Sequence, residues 1–264
     1  MLKNRLVAVI ILREGQVVQS VRFRHTNVIH YDPVHAIEAF NKWAVDEIAI
    51  LNVDRERGGE GRFAEVVERI SRHCFVPLIA GGWIADADYA QRLLRSGADK
   101  LVVNTALADD PELVRILAER FGRQCIVASI DVKRGSNGEP EVMVDRGRRA
   151  TGVEPVAWVR RAVELGAGEI LFNSIDHDGA RHGYDLETLQ RICAAVSIPV
   201  IAFGGVLEWS HLLEGIRAGA DAVAAANIFH YVEHATRKAK VYLAEAGVNV
   251  RREGRSALPE LSHG

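Results

Sequence analysis

Ten polar residues stand at or just beyond the ends of short apolar runs: Asn52, Asp54, Asn104, Thr105, Asp131, Asn173, Ser174, Asp176, Asp178 and Asn227. Polar groups in such positions can act together if the runs are parallel strands whose ends share one face. Asp131 is the sharpest candidate. It closes the apolar stretch Cys125–Asp131 (CIVASID), where loss of hydration would raise a carboxyl pKa and suit it to proton transfer. Capping a turn, or pairing with Lys133 or Arg134, is the alternative role for the same residue. Asp176, His177 and Asp178 have metal-ligand chemistry, but neighbours on an extended segment point apart and cannot readily share one ion. A turn that donates to a phosphate or caps a helix fits that triplet better. Cys74, Cys125 and Cys193 form no metal or redox spacing, and the serines sit in no nucleophile motif, so no metal and no cofactor is implied.

Two glycine pairs add a second kind of chemistry. Gly81–Gly82 and Gly204–Gly205 each follow an apolar run and precede a helix-length amphipathic segment. Bare backbone N–H groups beside a helix start suit a phosphate, and two such places suit a ligand with two phosphates. Tight strand-to-helix turns are the alternative reason for these glycines. A third kind is a set of four charges. Arg5, Glu47, Lys100 and Glu169 each stand just before an apolar run, at the opposite end from the candidates above. Two positive and two negative side chains there could close into a ring, or simply be solvated strand starts.

The elements that must position these residues repeat. Val76–Ala106 (VPLIAGGWIADADYAQRLLRSGADKLVVNTA) returns 122 residues later as Ile198–Asn227. Pro77 maps onto Pro199, Gly82 onto Gly204, and Arg95, Gly97, Ala98 and Asp99 onto Arg217, Gly219, Ala220 and Asp221. The same offset pairs Glu47–Asp54 with Glu169–Asp176. Each half alternates apolar runs with amphipathic segments, which predicts βα units, a parallel sheet and, over two halves, an α/β fold of the single (β/α)8 TIM-barrel type built from two similar half-barrels. Strands are expected at Arg5–Leu12, Glu47–Asn52, Pro77–Ala80, Lys100–Asn104, Cys125–Asp131, around Glu169–Ser174, at Pro199–Phe203 and at Ala222–Ala226. Asp32 with Pro33 opens a helix, and another lies near Phe63–Arg72. Arg13–Tyr31 reads as a loop, Asp54–Arg62 as a mobile segment, and Glu141–Val144 as part of a small hairpin. Residues 1–250 form the barrel and 251–264 a polar tail.

Bulk properties agree. A chain of 264 residues with 48% hydrophobic residues suits one barrel-sized domain. A net charge of −2 with mixed signs leaves no footprint for nucleic acid. The run Leu6–Leu12 is too short for a membrane span or a signal core, and the thiols suit a reducing cytoplasm.

From Met1 to about Arg252 the sequence resembles the cyclase subunit of imidazole glycerol phosphate synthase, the HisF family. The resemblance rests on GADK (Gly97–Lys100) with VNTA (Val103–Ala106), SIDVKR (Ser129–Arg134), GAGEI (Gly166–Ile170) with NSIDHDG (Asn173–Gly179), HGYD (His182–Asp185) and GVNVR (Gly247–Arg251). It implies a two-half (β/α)8 barrel that takes ammonia from a HisH-type glutaminase docked at its bottom. Arg5, Glu47, Lys100 and Glu169 would be the ammonia gate, and Asp99 would lie at the glutaminase interface. Asp131 would be one of the family's two catalytic aspartates. Gly82, Asn104, Thr105, Asp178, Gly179, Gly204, Gly205, Ala226 and Asn227 would form the phosphate and substrate site.

The top of the barrel departs from the family pattern. The second catalytic aspartate is Ile11, which has no proton to give; the loop-1 lysine is Gln19; the third glycine of the first phosphate cup is Trp83. The strand-two aspartate is Asn52, the serine of the second cup is Asn227, and a loop of the family is shortened to Val28, Ile29, His30, Tyr31 and Asp32. With the ammonia end intact, this pattern resembles the HisF-like paralogues of bacterial surface-polysaccharide clusters (the WbuZ type). The resemblance then implies amidation of a sugar on a phosphorylated or nucleotide-linked substrate, with a third, ATP-dependent sugar amidotransferase as a further partner. A true cyclase of histidine biosynthesis and a non-catalytic scaffold are the alternatives.

Overall fold

Eight strands pair in parallel with their sequence neighbours, and the last pairs with the first. They are β1 (Arg5–Arg13), β2 (Glu47–Asn52), β3 (Leu78–Gly81), β4 (Lys100–Val103), β5 (Ile126–Arg134), β6 (Glu169–Ser174), β7 (Val200–Phe203) and β8 (Ala222–Ala225). Closure is direct, with Arg5 in register with Ala222. The structure is a computed structural model that describes residues 3–54 and 58–251. The segment expected to be mobile after β2 and the expected polar tail therefore fall partly on residues 55–57 and 252–264, outside the described residues.

A long helix follows each strand: α1 (Pro33–Lys42), α2 (Glu60–Ser71), α3 (Ala87–Arg95), α4 (Pro111–Phe121), α5 (Pro155–Glu164), α6 (Leu186–Ala195), α7 (Trp209–Arg217) and α8 (Ala235–Glu245). Local chemistry sets several starts. Asp32, Asp110 and Glu154 each accept a backbone N–H from the first turn and are followed by proline at the first helical position, where the missing N–H costs nothing. Asp86 and Asp185 cap α3 and α6 in the same way.

The period of two along each strand decides what faces the barrel axis. Leu6, Ala8, Ile10 and Leu12 of β1 pack outward against the helices, in one large core. Val7, Val9 and Ile11 turn inward and meet Ala49, Ile79, Val102, Val127, Leu171 and Ile201 in a second core that fills the barrel. The two-half reading holds at atomic detail. The Asp99 carboxylate accepts the backbone N–H of Leu78 at 2.8 Å, and its repeat-mate Asp221 accepts that of Val200 at 3.0 Å.

One expectation is corrected. Residues 13–31 are not a loop. Gln16–Val21 and His25–His30 form an antiparallel hairpin that continues β1. The hairpin containing Glu141–Val144 is present, with Pro140–Val144 antiparallel to the end of β5 and Arg149–Ala150 beside it. The two halves thus each extend their first strand into a hairpin over the top of the barrel. The first hairpin is pinned from far away in sequence, because Asp178 accepts hydrogen bonds from Ser20 Oγ at 2.7 Å and Phe23 N at 3.3 Å. Asp178→Ala is expected to free this hairpin and to speed amide exchange across 16–30 well above that of β2 or β6, read by hydrogen exchange. Unchanged protection would show that the Asp178 contacts do not hold it.

Candidate functional site

At the N-terminal mouth the inward row of each strand begins with a charge. Arg5, Glu47 and Glu169 continue the inward parity of Val7, Ala49 and Leu171, and Lys100 that of Val102. Arg5 donates to Glu47 at 2.7 Å and to Glu169 at 2.5 Å. Lys100 approaches the same two carboxylates at 3.3 and 2.8 Å. The four expected charges therefore close into one ring of alternating sign, with both carboxylates buried. Burial works against the Arg5 charge, but the attraction of Glu169 and Glu47 outweighs it and holds the guanidinium above its ordinary pKa. Asp99 lies beside Lys100 on this face and is exposed.

At the other end a cavity of about 1080 Å³ opens among the strand ends. Gly82, Asn104, Thr105 and Asp131 line it, together with Ile11, Trp83 and Phe203. Asp178, Gly179, Gly204, Gly205, Ala226 and Asn227 gather instead around a second cavity of about 280 Å³, with Gln19 and Tyr231 on its rim. Phe203 borders both cavities. The candidate phosphate residues are thus brought into two neighbouring groups, one in each half of the barrel. Gly205 is irreplaceable for packing: it has φ +95°, and an added Cβ would lie 2.1 Å from the Gly183 carbonyl oxygen.

Asp131 sits at the floor of the larger cavity. Its carboxylate accepts from Ser129 Oγ at 3.1 Å, Asn104 Nδ2 at 3.2 Å and Asn173 Nδ2 at 3.5 Å. Arg134 turns away to Asp185 and Glu187, at 3.8 and 3.4 Å, so the alternative of pairing Asp131 with that arginine is not what the fold does. Burial raises the Asp131 pKa to about 7, opposed in part by the Ser129 and Asn173 hydrogen bonds, with Asp178 adding a further push upward. A carboxyl poised there can hold or release a proton at neutral pH. Ile11, on the strand opposite β5, offers only an apolar wall.

This shift predicts a pH signature. The folded pKa lies above that of the unfolded chain, so the stability that Asp131 contributes is fully present below about pH 4 and is lost as pH rises through about 7. His230 has the opposite sign, since burial and His30 lower its pKa to about 4 and its contribution is lost as pH falls through that value. Asp131→Asn should therefore gain stability relative to the parent chain between pH 5 and 8, by chemical denaturation at each pH. A constant difference across that range would refute the raised pKa.

Asp176, His177 and Asp178 do diverge. Asp176 accepts from the Arg134 backbone at 2.8 Å, the His177 ring meets the Gly183 carbonyl at 2.8 Å, and Asp178 holds the hairpin. No metal-type cluster occurs among the described residues. Two cavity features were not legible as sites. Ser129 was visible only as the residue two before Asp131 on one strand face. Arg146, at the tip of the second hairpin, stacks its guanidinium 4.5 Å from the centre of the Trp83 ring, which no local signal announces. No helix among the described residues is long and apolar enough to cross a membrane.

Known proteins match this arrangement over nearly the whole chain. The family model described as "Histidine biosynthesis protein" matches residues 5–235. The chain is 42% identical over 247 residues to imidazole glycerol phosphate synthase subunit HisF of Streptomyces coelicolor, covering 94% of this chain and 98% of that one. The corresponding subunit of Streptomyces avermitilis is also 42% identical, with the same coverage. That of Mycobacteroides abscessus is 41% identical over 254 residues, again covering 94% and 98%. With a family model spanning most of its length and relatives of this identity, on a two-half barrel carrying the family's motifs, the chain belongs to the HisF family of histidine biosynthesis proteins.

Proposed function

We propose that this chain is the acceptor-side subunit of a glutamine-dependent synthase. In this reading a HisH-type glutaminase docks at the N-terminal mouth around Asp99 and releases ammonia there. The ring of Arg5, Glu47, Lys100 and Glu169 admits it, and the acceptor waits beside Asp131 at the other end. The observation that carries the reading is the placement of one closed ring of four charges and one buried carboxyl at opposite ends of the same barrel axis. Ammonia is small and neutral when deprotonated, so an apolar barrel interior would favour it over ammonium.

The acceptor has two readings. The names of the relatives favour the bisphosphorylated substrate of imidazole glycerol phosphate synthase, and so a lyase step in histidine biosynthesis. This is the better supported of the two, and it displaces sugar amidation from first place. Ile11 favours the second, because a wall without a proton leaves ring closure with one carboxyl where the family uses a pair. On that reading the ammonia goes to a sugar in surface glycan synthesis, through a third, ATP-dependent amidotransferase. The test is turnover of the bisphosphorylated substrate by the purified chain at high ammonium and alkaline pH, which needs no glutaminase. Turnover near the rate of the Streptomyces relatives assigns the cyclase reaction. No turnover by folded chain removes it and leaves sugar amidation or the non-catalytic scaffold.

A further inference from the structure

Arg146 and Trp83 form a composite corner of the larger cavity that belongs to neither glycine pair. Trp83 follows Gly82 with φ +57°, a left-handed backbone that a bulky residue rarely adopts. Arg146 lies across the cavity wall on the second hairpin, where Asp145, Arg146 and Gly147 are all left-handed, at φ 50°, 59° and 73°. Such strain clusters where function demands it. Both side chains reach one acceptor: Trp83 Nε1 and an Arg146 terminal nitrogen donate to the Asp54 carbonyl at 3.2 and 2.8 Å. Stacking on the indole occupies the face of the guanidinium and leaves its N–H edge for hydrogen bonds. Among the described residues, the other terminal nitrogen meets the half-exposed Asp145 carboxylate at 3.1 Å, and the Nε–H is buried without a partner.

The neighbouring polar group is already committed. Thr105 Oγ accepts from Asp145 N at 3.0 Å and donates to Asn104 Oδ1 at 3.3 Å. The cavity's own hydroxyl at this corner is thus satisfied within the protein, whereas the guanidinium keeps one N–H, at Nε, without a partner among the described residues. Arg24, exposed on the first hairpin, lines the same cavity and adds positive charge.

We propose that the Arg146–Trp83 pair is the anion-binding site at this end of the cavity, taking one phosphate of the acceptor through the guanidinium edge rather than through the backbone of Gly82. The proposal rests on the reading that the acceptor carries a phosphate. A planar fork matches the oxygens of a phosphate bidentately, and the indole beneath it holds the fork in place. Asp145 acts as the internal counterion that a phosphate displaces.

The test uses ribose 5-phosphate as the probe and ribose as the uncharged control. Binding to the full chain is followed by calorimetry and by tryptophan emission, with Trp83→Phe assigning the signal among the four tryptophans. Saturable binding of the phosphate with a Trp83 signal, little binding of ribose, and affinity about ten- to a hundredfold weaker in Arg146→Met are expected, the loss of a charge-assisted contact. Arg146→Lys, which keeps charge but cannot stack and fork, should fall between, and it carries the comparison if Arg146→Met does not fold. Equal affinity in the parent and Arg146→Met, or a calorimetric signal that leaves Trp83 silent, overturns the Arg146 site while the phosphorylated acceptor stands. Equal binding of ribose overturns the anion assignment. No binding of the phosphate to the parent chain removes both.

Discussion

Asp131→Asn is expected to lower ammonia-dependent turnover of the acceptor by about 10²–10⁴-fold, the usual effect of losing a proton-transfer group. The substitution is nearly isosteric, and the amide can still hydrogen-bond with Ser129, Asn104 and Asn173, so the fold should persist. What is lost is the proton that Asp131 can hold at the floor of the cavity. The pKa of about 7 sets the accompanying pH profile: the parent rate should change through neutrality, and the residual rate of the variant should not follow that change. With Ile11 opposite, no second carboxyl compensates from β1. A loss of less than about threefold, far below the usual effect of removing a proton-transfer group, would remove Asp131 from the chemistry and leave it a buried structural acid.

Lys100→Glu is expected to have the second large effect, and a different one. Lys100 holds Glu47 and Glu169 at 3.3 and 2.8 Å, and both carboxylates are buried. A third carboxylate in its place leaves Arg5 as the only cation in the ring. Breaking a buried ion pair by removing one partner costs about 3–5 kcal/mol, and the like charges add to that. Denaturant unfolding should show a loss in that range, with the upper end reduced because the Lys100 side chain keeps some contact with water. On the proposed reading, glutamine-dependent turnover with the glutaminase should disappear while turnover with added ammonium survives in the folded fraction. Lys100→Met, which removes the cation without adding an anion, separates the two effects: it should be milder in stability yet still uncouple glutamine from the acceptor. If glutamine-dependent turnover is retained in both variants, the ring plays no part in admitting ammonia.

The repeat, the strands and the glycine turns were legible because they depend on local order. Apolar period, Asp–Pro caps and Gly-Ala-Asp turns act over a few residues, and the offset between Leu78 and Val200 reappears as the same carboxylate-to-backbone bond in both halves. The first hairpin was not legible for the opposite reason. Gln16–Val21 is short and interrupted by polar residues, and besides its strand pairing it is tied down by Asp178, 158 residues from Ser20. A segment held in part by a distant carboxylate displays little pattern of its own.

By itself the sequence determined the two-half barrel, the end at which each candidate residue stands and the membership of the HisF family, because strand parity and motif spacing are properties of the chain alone. Only the tertiary structure decided what those residues do to one another. Barrel closure brings Arg5, Glu47, Lys100 and Glu169 from four strands within bonding distance, and it sets Asn104 and Asn173 from the flanking strands on either side of Asp131. The raised pKa of that carboxyl is a consequence of this enclosure, since desolvation depends on every neighbour that excludes water. The stacking of Arg146 on Trp83 likewise exists only because the second hairpin folds back over the third strand's loop, joining residues that the linear chain keeps apart.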